Sequence, residues 1–318
     1  MTARLWLCAA LVLLLLAPAM PALAQIGCDG SGLPPGPYSG NDGPYPVVMT
    51  QLADQDYPDQ PILVFQPQGA TGKRPVIFFA HGYGPNHWQA YADLIRHVVS
   101  LGNILVYAPY PMGVAGNAIR YEVLWSGFTT AADRFADEMD LTRVGFVGHS
   151  FGGGATPVLA YQGLVVNGWG KNGALMLLLA PWYAFETPDI RLQHLPANLV
   201  QVAEIYDQDT TNDHRMAIDL YQHLAPQAGQ YFFLGQSGTL DGCAMVADHS
   251  TPGSNPSLLL KRLVVFRVFD AASALAFDQA PDAAAALSSM GAPGANGSYQ
   301  PLVSVASPTP DAPQSTYK

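Results

Sequence analysis

Short apolar runs alternate with longer amphipathic stretches along most of the chain. The runs at 62–65, 76–79, 104–107, 144–147, 175–179, 199–206 and 231–234 are mostly apolar at successive positions. That is the pattern of parallel strands buried on both faces, not the every-second-residue alternation of a strand with one wet face. Between them, 91–100, 118–139, 153–166 and 213–224 have the length and period of helices. A last stretch, 257–277, sets Leu259, Leu263, Phe266 and Phe269 on one stripe and reads as a final packing helix. Strand and helix in turn predict an α/β fold: a mostly parallel central sheet flanked by helices on both faces.

The two ends break this pattern. Arg4 precedes an apolar run at 5–16 and then Pro21-Ala22-Leu23-Ala24, so residues 1–24 read as a signal peptide cleaved after Ala24, which predicts a secreted or periplasmic protein. The apolar run is too short for a retained membrane helix, and no later segment is long and apolar enough to span a bilayer. Residues 25–45 are rich in turn formers and should be an irregular arm. Residues 46–280 form the catalytic domain, and from 281 to 318 the Ala, Gly, Ser and Pro content predicts a disordered tail.

Loss of the leader removes Cys8 and leaves Cys28 and Cys243, which in an oxidising compartment predicts one disulfide. The competing use of Cys28 is lipid attachment, but Gln25-Ile26-Gly27 lacks the aliphatic residue such a site needs. Charged residues are only 12% of the chain and the formal charge is −10. Such a surface does not suit nucleic acid or anionic lipid, which need basic patches, and favours uncharged substrates. The sequence leaves the oligomeric state open.

The chemistry centres on Gly148-His149-Ser150-Phe151-Gly152, directly after the strand at 144–147 and before a helical stretch. A nucleophile presented on a sharp strand-to-helix turn needs residues without side chains two positions to either side, and Gly148 and Gly152 meet that need. Pro157 falls inside the helix that should follow, where its missing N–H predicts a kink near the first turns. Acyl transfer also needs two donors for the developing oxyanion. The backbone N–H groups of Phe151 and of Tyr83, in the His81-Gly82-Tyr83-Gly84 loop after the strand at 76–79, are the candidates. His81 and His149 read as structural histidines.

A serine hydroxyl needs a base, and in this arrangement the acid and then the histidine follow the serine in the chain. Of His194, His214, His223 and His249, only His249 falls in a loop after a late strand. Asp207, Asp209 and Asp213 follow the strand at 199–206. Asp213 reads as the start of the next helix, and Asp209 is preferred to Asp207 as the acid that orients His249. No metal or organic cofactor is implied, because the histidines lack ligand spacing.

With Ser100-Leu101-Gly102-Asn103-Ile104-Leu105-Val106, the glycine-flanked elbow and Ala180-Pro181-Trp182, the chain resembles the α/β-hydrolase superfamily, and within it the dienelactone hydrolases and cutinase-like polyester hydrolases. That resemblance implies ester hydrolysis, with Tyr83 and Trp182 as aromatic walls of the acyl site. Only residues 183–198 separate two successive strands where lipase lids are usually inserted, so no large lid is expected. An aromatic set of Tyr83, Trp88, Phe151 and Trp182 would grip an apolar acyl group. The expected activity is an exported serine esterase acting on small, medium or polymeric esters. Peptidase, thioesterase or acyltransferase chemistry on the same fold, or an inactive exported binding protein, are the alternatives.

Overall fold

The computed structural model describes residues 26–84, 87–225, 229–290 and 299–305. In chain order the elements are β1 (Val47–Leu52), β2 (Ile62–Pro67), β3 (Arg74–Ala80), α1 (Ala92–Ser100), β4 (Ile104–Tyr107), α2 (Asn117–Arg134), β5 (Met139–His149), α3 (Phe151–Ala160), β6 (Gly173–Leu179), α4 (Asp189–Gln193) and β7 (Leu199–Tyr206). They continue with α5 (His214–His223), β8 (Gln230–Gly235), β9 (Gly238–Leu240), β10 (Cys243–Met245), α6 (Leu258–Lys261), α7 (Arg267–Asp278), α8 (Ala283–Ser289) and β11 (Leu302–Ser304).

Nine strands form one sheet in the order β1-β2-β4-β3-β5-β6-β7-β8-β11. Pairing is parallel from β4 across to β8 and antiparallel at β1–β2, β2–β4 and β8–β11. The doubly apolar runs explain this. Phe78 and Phe146 point to one face, packing with Phe128 of α2, while Phe79 and Val147 point to the other with Val98 of α1 and Phe269 of α7. A strand so placed must be apolar at every position. Among the described residues no helix is long and apolar enough to cross a membrane.

Several elements differ from the sequence expectation. The helix expected over 118–139 stops at Arg134, because Met139 already pairs with Arg74 as the start of β5. The long connection after β8 is filled by the β9–β10 hairpin, and Cys243 on β10 is bonded to Cys28 of the arm. That bond consumes the thiol that lipid attachment at Cys28 would need.

The expectation of a disordered tail from 281 onward is corrected in part. Ala283–Ser289 is helical, with Leu287 fully buried, and Leu302–Ser304 pairs with β8 to close the sheet edge. Low complexity hid these two short elements, whose order comes from packing on the domain and not from their own propensity. The expected leader and the rest of the tail lie outside the described residues. Pro157 does not break α3. The helix runs on to Ala160 and then widens into a π turn at Tyr161–Val166.

Candidate active site

Because β3 through β8 run parallel, the loops after β3, β5, β6 and β7 gather at one rim of the sheet. At the tip of β5, Ser150 takes φ 55°, a left-handed conformation that costs a non-glycine residue of order 1–3 kcal/mol. Packing holds it there. A Cβ on Gly152 would lie 2.0 Å from the Ala80 carbonyl oxygen, and one on Gly148 2.0 Å from Thr156 Oγ1. The glycines two positions either side of the serine are thus required by close approach of β3 and of the first two turns of α3. The serine N–H donates to Leu179 O, and its carbonyl accepts from Trp182 N at 2.8 Å, tying the elbow to the loop after β6.

The structure brings Ser150, His249 and Asp209 together. His249 Nε2 lies 2.9 Å from Ser150 Oγ, and Nδ1 lies 2.8 Å from Asp209 Oδ2. Since a carboxylate only accepts, Nδ1 carries the proton and Nε2 is left to accept from the serine hydroxyl. Burial pushes the Asp209 pKa up, but the bond from His249 and the N–H groups of Thr211 and Asn212 outweigh it and hold the carboxyl below its ordinary range. The other two carboxylates of this loop are engaged elsewhere. Asp207 accepts from both the N–H and the hydroxyl of Ser237, and Asp213 caps α5 and pairs with Arg215.

Phe151 opens α3, where a backbone N–H has no intrahelical acceptor. The β3 loop comes close beside it, since a Cβ on Gly82 would lie 3.2 Å from Ser150 Cβ. This sets the Tyr83 backbone next to the serine. Tyr83 is more than half exposed, and its ring stands edge-on to that of Phe151 with centroids 6.2 Å apart.

Behind the loop runs a buried relay that sequence reasoning missed. The Gly82 N–H donates to Tyr91 Oη at 2.9 Å, and Tyr91 Oη lies 2.8 Å from His149 Nδ1. On its far side, His149 Nε2 lies 2.9 Å from the His249 carbonyl oxygen. A carbonyl only accepts, so Nε2 carries the hydrogen and Nδ1 accepts from the tyrosine. Burial, reinforced by the neighbouring His249, pushes the His149 pKa down to about 3 and keeps the ring neutral. Thus one imidazole ties the loop after β3 to the loop that carries His249. His81 is buried and stacked on Tyr110 at 4.2 Å, with its Nδ1 on the Gly82 carbonyl, and burial pushes its pKa down to about 4.

Two cavities meet at Ser150 and His249. One, of about 440 Å³, is walled by Tyr83, Phe151, Trp182 and Phe185, and Asn117 and Arg120 also line it. The other, of about 350 Å³, is more polar and runs past Tyr91, Gln208, Asp248 and Ser254. Trp88, expected among the aromatic grips, instead packs against Phe65 at 5.3 Å and lines neither. Between β6 and β7 there is only the five-residue helix α4, and both cavities open to solvent. Among the described residues no group of three or more His, Cys, Asp or Glu side chains is arranged to hold a metal.

Residues 40–167 match the model of the chlorophyllase family, an α/β-hydrolase-like family. The matched segment runs from just before β1 to just past the π turn after α3, so it holds Tyr83, Ser150 and Phe151 but not Asp209 or His249. No curated protein matches the chain. Together with the strand order, the match identifies the fold as that of the α/β-hydrolases.

Proposed function

We propose that this α/β-hydrolase-fold chain is an exported serine esterase that cleaves carboxylic esters through an acyl-enzyme. The observation that carries the reading is the unbroken hydrogen-bond chain Asp209–His249–Ser150, set on a strained elbow at the mouth of an apolar cavity. In this reading His249 Nε2 takes the Ser150 hydroxyl proton as Oγ attacks the ester carbonyl. The N–H groups of Phe151 and Tyr83 then receive the oxyanion, each worth about 10²–10³ in rate. Asp209 holds the imidazole tautomer and offsets the charge of the imidazolium. The alcohol leaves with the proton from His249, and a water, activated by the same ring, releases the acid.

The chlorophyllase-family match supports ester hydrolysis over peptide or thioester chemistry. The Cys28–Cys243 disulfide supports export, because such bonds persist in oxidising compartments. The finer placing, with dienelactone hydrolases and cutinase-like polyester hydrolases, rests on the elbow glycines, the 100–106 segment and Ala180-Pro181-Trp182. Trp182 and Tyr83 then act as walls for the acyl group. The test is hydrolysis of a p-nitrophenyl ester panel beside matched thioester and anilide substrates, with phosphonate labelling of the folded protein. Ester turnover that disappears in Ser150→Ala, with label on Ser150, is expected. Full turnover in that variant would overturn the assignment.

A further inference from the structure

Among the described residues that line the apolar cavity, Arg120 alone carries a permanent positive charge, and the proposed mechanism does not use it. The side chain comes from the first turn of α2 and is 6% exposed, so its charge has been moved out of water. A buried guanidinium ordinarily has a carboxylate beside it. Arg120 has none among the described residues. Its Nε and Nη2 donate to the carbonyls of Pro111 and Gly113, and its Nη1 donates to the Asn117 side-chain carbonyl, all neutral acceptors. Its other close partners are the faces of Tyr83 and Phe151, whose ring centroids lie 5.2 and 5.7 Å from Cζ.

A guanidinium has five N–H donors. Three are engaged here, which leaves two unspent among the described residues. The group is therefore a held, charge-uncompensated donor lining the same cavity as Ser150. Low-dielectric aromatic walls strengthen any attraction between it and an anion that enters. The molecule as a whole carries a formal charge of −10, so its general field repels anions, and an anion that binds here does so through this local cation.

We propose that Arg120 reads an ionised carboxylate on the substrate, and that the preferred substrates are hemiesters: carboxylic esters with a second, free carboxylate on the part that fills the aromatic cavity. This proposal rests on the ester-hydrolase reading and narrows it. The carboxylate accepts the two remaining N–H groups, and the intervening chain or ring lies against Tyr83, Phe151 and Trp182. The reacting ester is thereby held at Ser150.

The experiment compares kcat/KM, corrected for spontaneous cleavage, within two substrate pairs. One pair is the p-nitrophenyl hemiester of adipic acid and its methyl-capped diester, with the charge in the acyl part. The other is 4-acetoxybenzoate and its methyl ester, with the charge in the alcohol part. A charged hydrogen bond of this kind corresponds to a preference of roughly ten- to a hundredfold for the carboxylate in one of the pairs. In Arg120→Gln that ratio falls to about one, and in Arg120→Lys it is partly retained.

Equal or faster hydrolysis of the neutral member in both wild-type pairs overturns the proposal without any variant. So does an equal loss on both members in Arg120→Gln, which would make Arg120 a support for the neighbouring loops. A binding arm separates this failure from that of the esterase reading. Ser150→Ala is expected to bind the adipate hemiester at least tenfold more tightly than the diester by calorimetry, and the double variant with Arg120→Gln to bind both alike. If no ester is turned over, the esterase reading fails and the binding ratio still decides the role of Arg120. Equal binding by Ser150→Ala overturns the proposal.

Discussion

The relay behind the loop after β3 makes a demanding prediction about Tyr91, which lies outside the proposed triad. Tyr91→Phe keeps the ring and its edge contact with Phe79 at 4.8 Å but deletes the hydroxyl between Gly82 N and His149 Nδ1. Both partners are buried, and each loses its bond to the hydroxyl. One unsatisfied buried polar group costs about 1–3 kcal/mol, and the pair should cost about 2–4 kcal/mol of folding stability. That is a large part of a typical total, and a urea titration would show it as a lower midpoint at unchanged slope.

The kinetic effect follows from position. Gly82 immediately precedes Tyr83, whose N–H in the proposed mechanism receives charge only as the tetrahedral intermediate forms. Loss of a whole oxyanion donor costs about 10²–10³, and a loosened one should cost about tenfold, in kcat and not in KM. Since burial keeps His149 neutral down to about pH 3, the shape of the pH–rate profile should not change between pH 5 and 9. A variant with wild-type midpoint and wild-type kcat would refute the relay. One with raised KM alone would show that Tyr91 acts on substrate binding instead.

Asp209→Asn should lower kcat by about 10³–10⁴ by leaving the imidazole in the wrong tautomer, whereas Asp207→Asn, which loosens only the Ser237 contacts, should stay within a few-fold. The reverse order in steady-state assays would reassign the acid. His97 is buried between Asp42 and Asp270, near Arg96 and Arg262. Burial lowers its pKa, but the two carboxylates more than offset this and raise it above 6.5. A raised folded-state value stabilises fully below pH 6.5 and fades as pH climbs through it. The urea-midpoint advantage of wild type over His97→Gln should therefore shrink from pH 6 to pH 9, and a constant advantage would contradict it. Reduction, or Cys243→Ser, removes a link between residues 215 apart and should lower stability by about 2–5 kcal/mol, readable as a lower guanidinium midpoint.

The strands were readable because burial on both faces leaves an unbroken apolar run that little else produces. Leu199–Tyr206 and Ile104–Tyr107 begin and end where the runs do. β1 was not readable, since it is an edge strand whose Val48, Met49, Thr50 and Gln51 are all exposed, so its order comes from backbone pairing with β2. The elbow announced itself by local sterics, which a five-residue window contains. Tyr91 and Arg120 did not. Their roles depend on contacts with His149, Tyr83 and Phe151, made only after the chain folds back on itself, and in the sequence each is an ordinary helix residue.

The parallel run of β3 to β8 has a further consequence, for how this molecule can change. The groups proposed for chemistry sit where those strands end. Where they begin, Arg74 bonds the Gly102 carbonyl, Arg143 reaches Asp140 and Asp278, and Asp42, His97 and Asp270 bind the N-terminal arm to α1 and α7. Selectivity and durability are therefore written on opposite edges, about a strand's length apart. Substitutions at one edge can be combined with substitutions at the other with near-additive effect, so a sturdier molecule and a differently selective one are separate engineering problems.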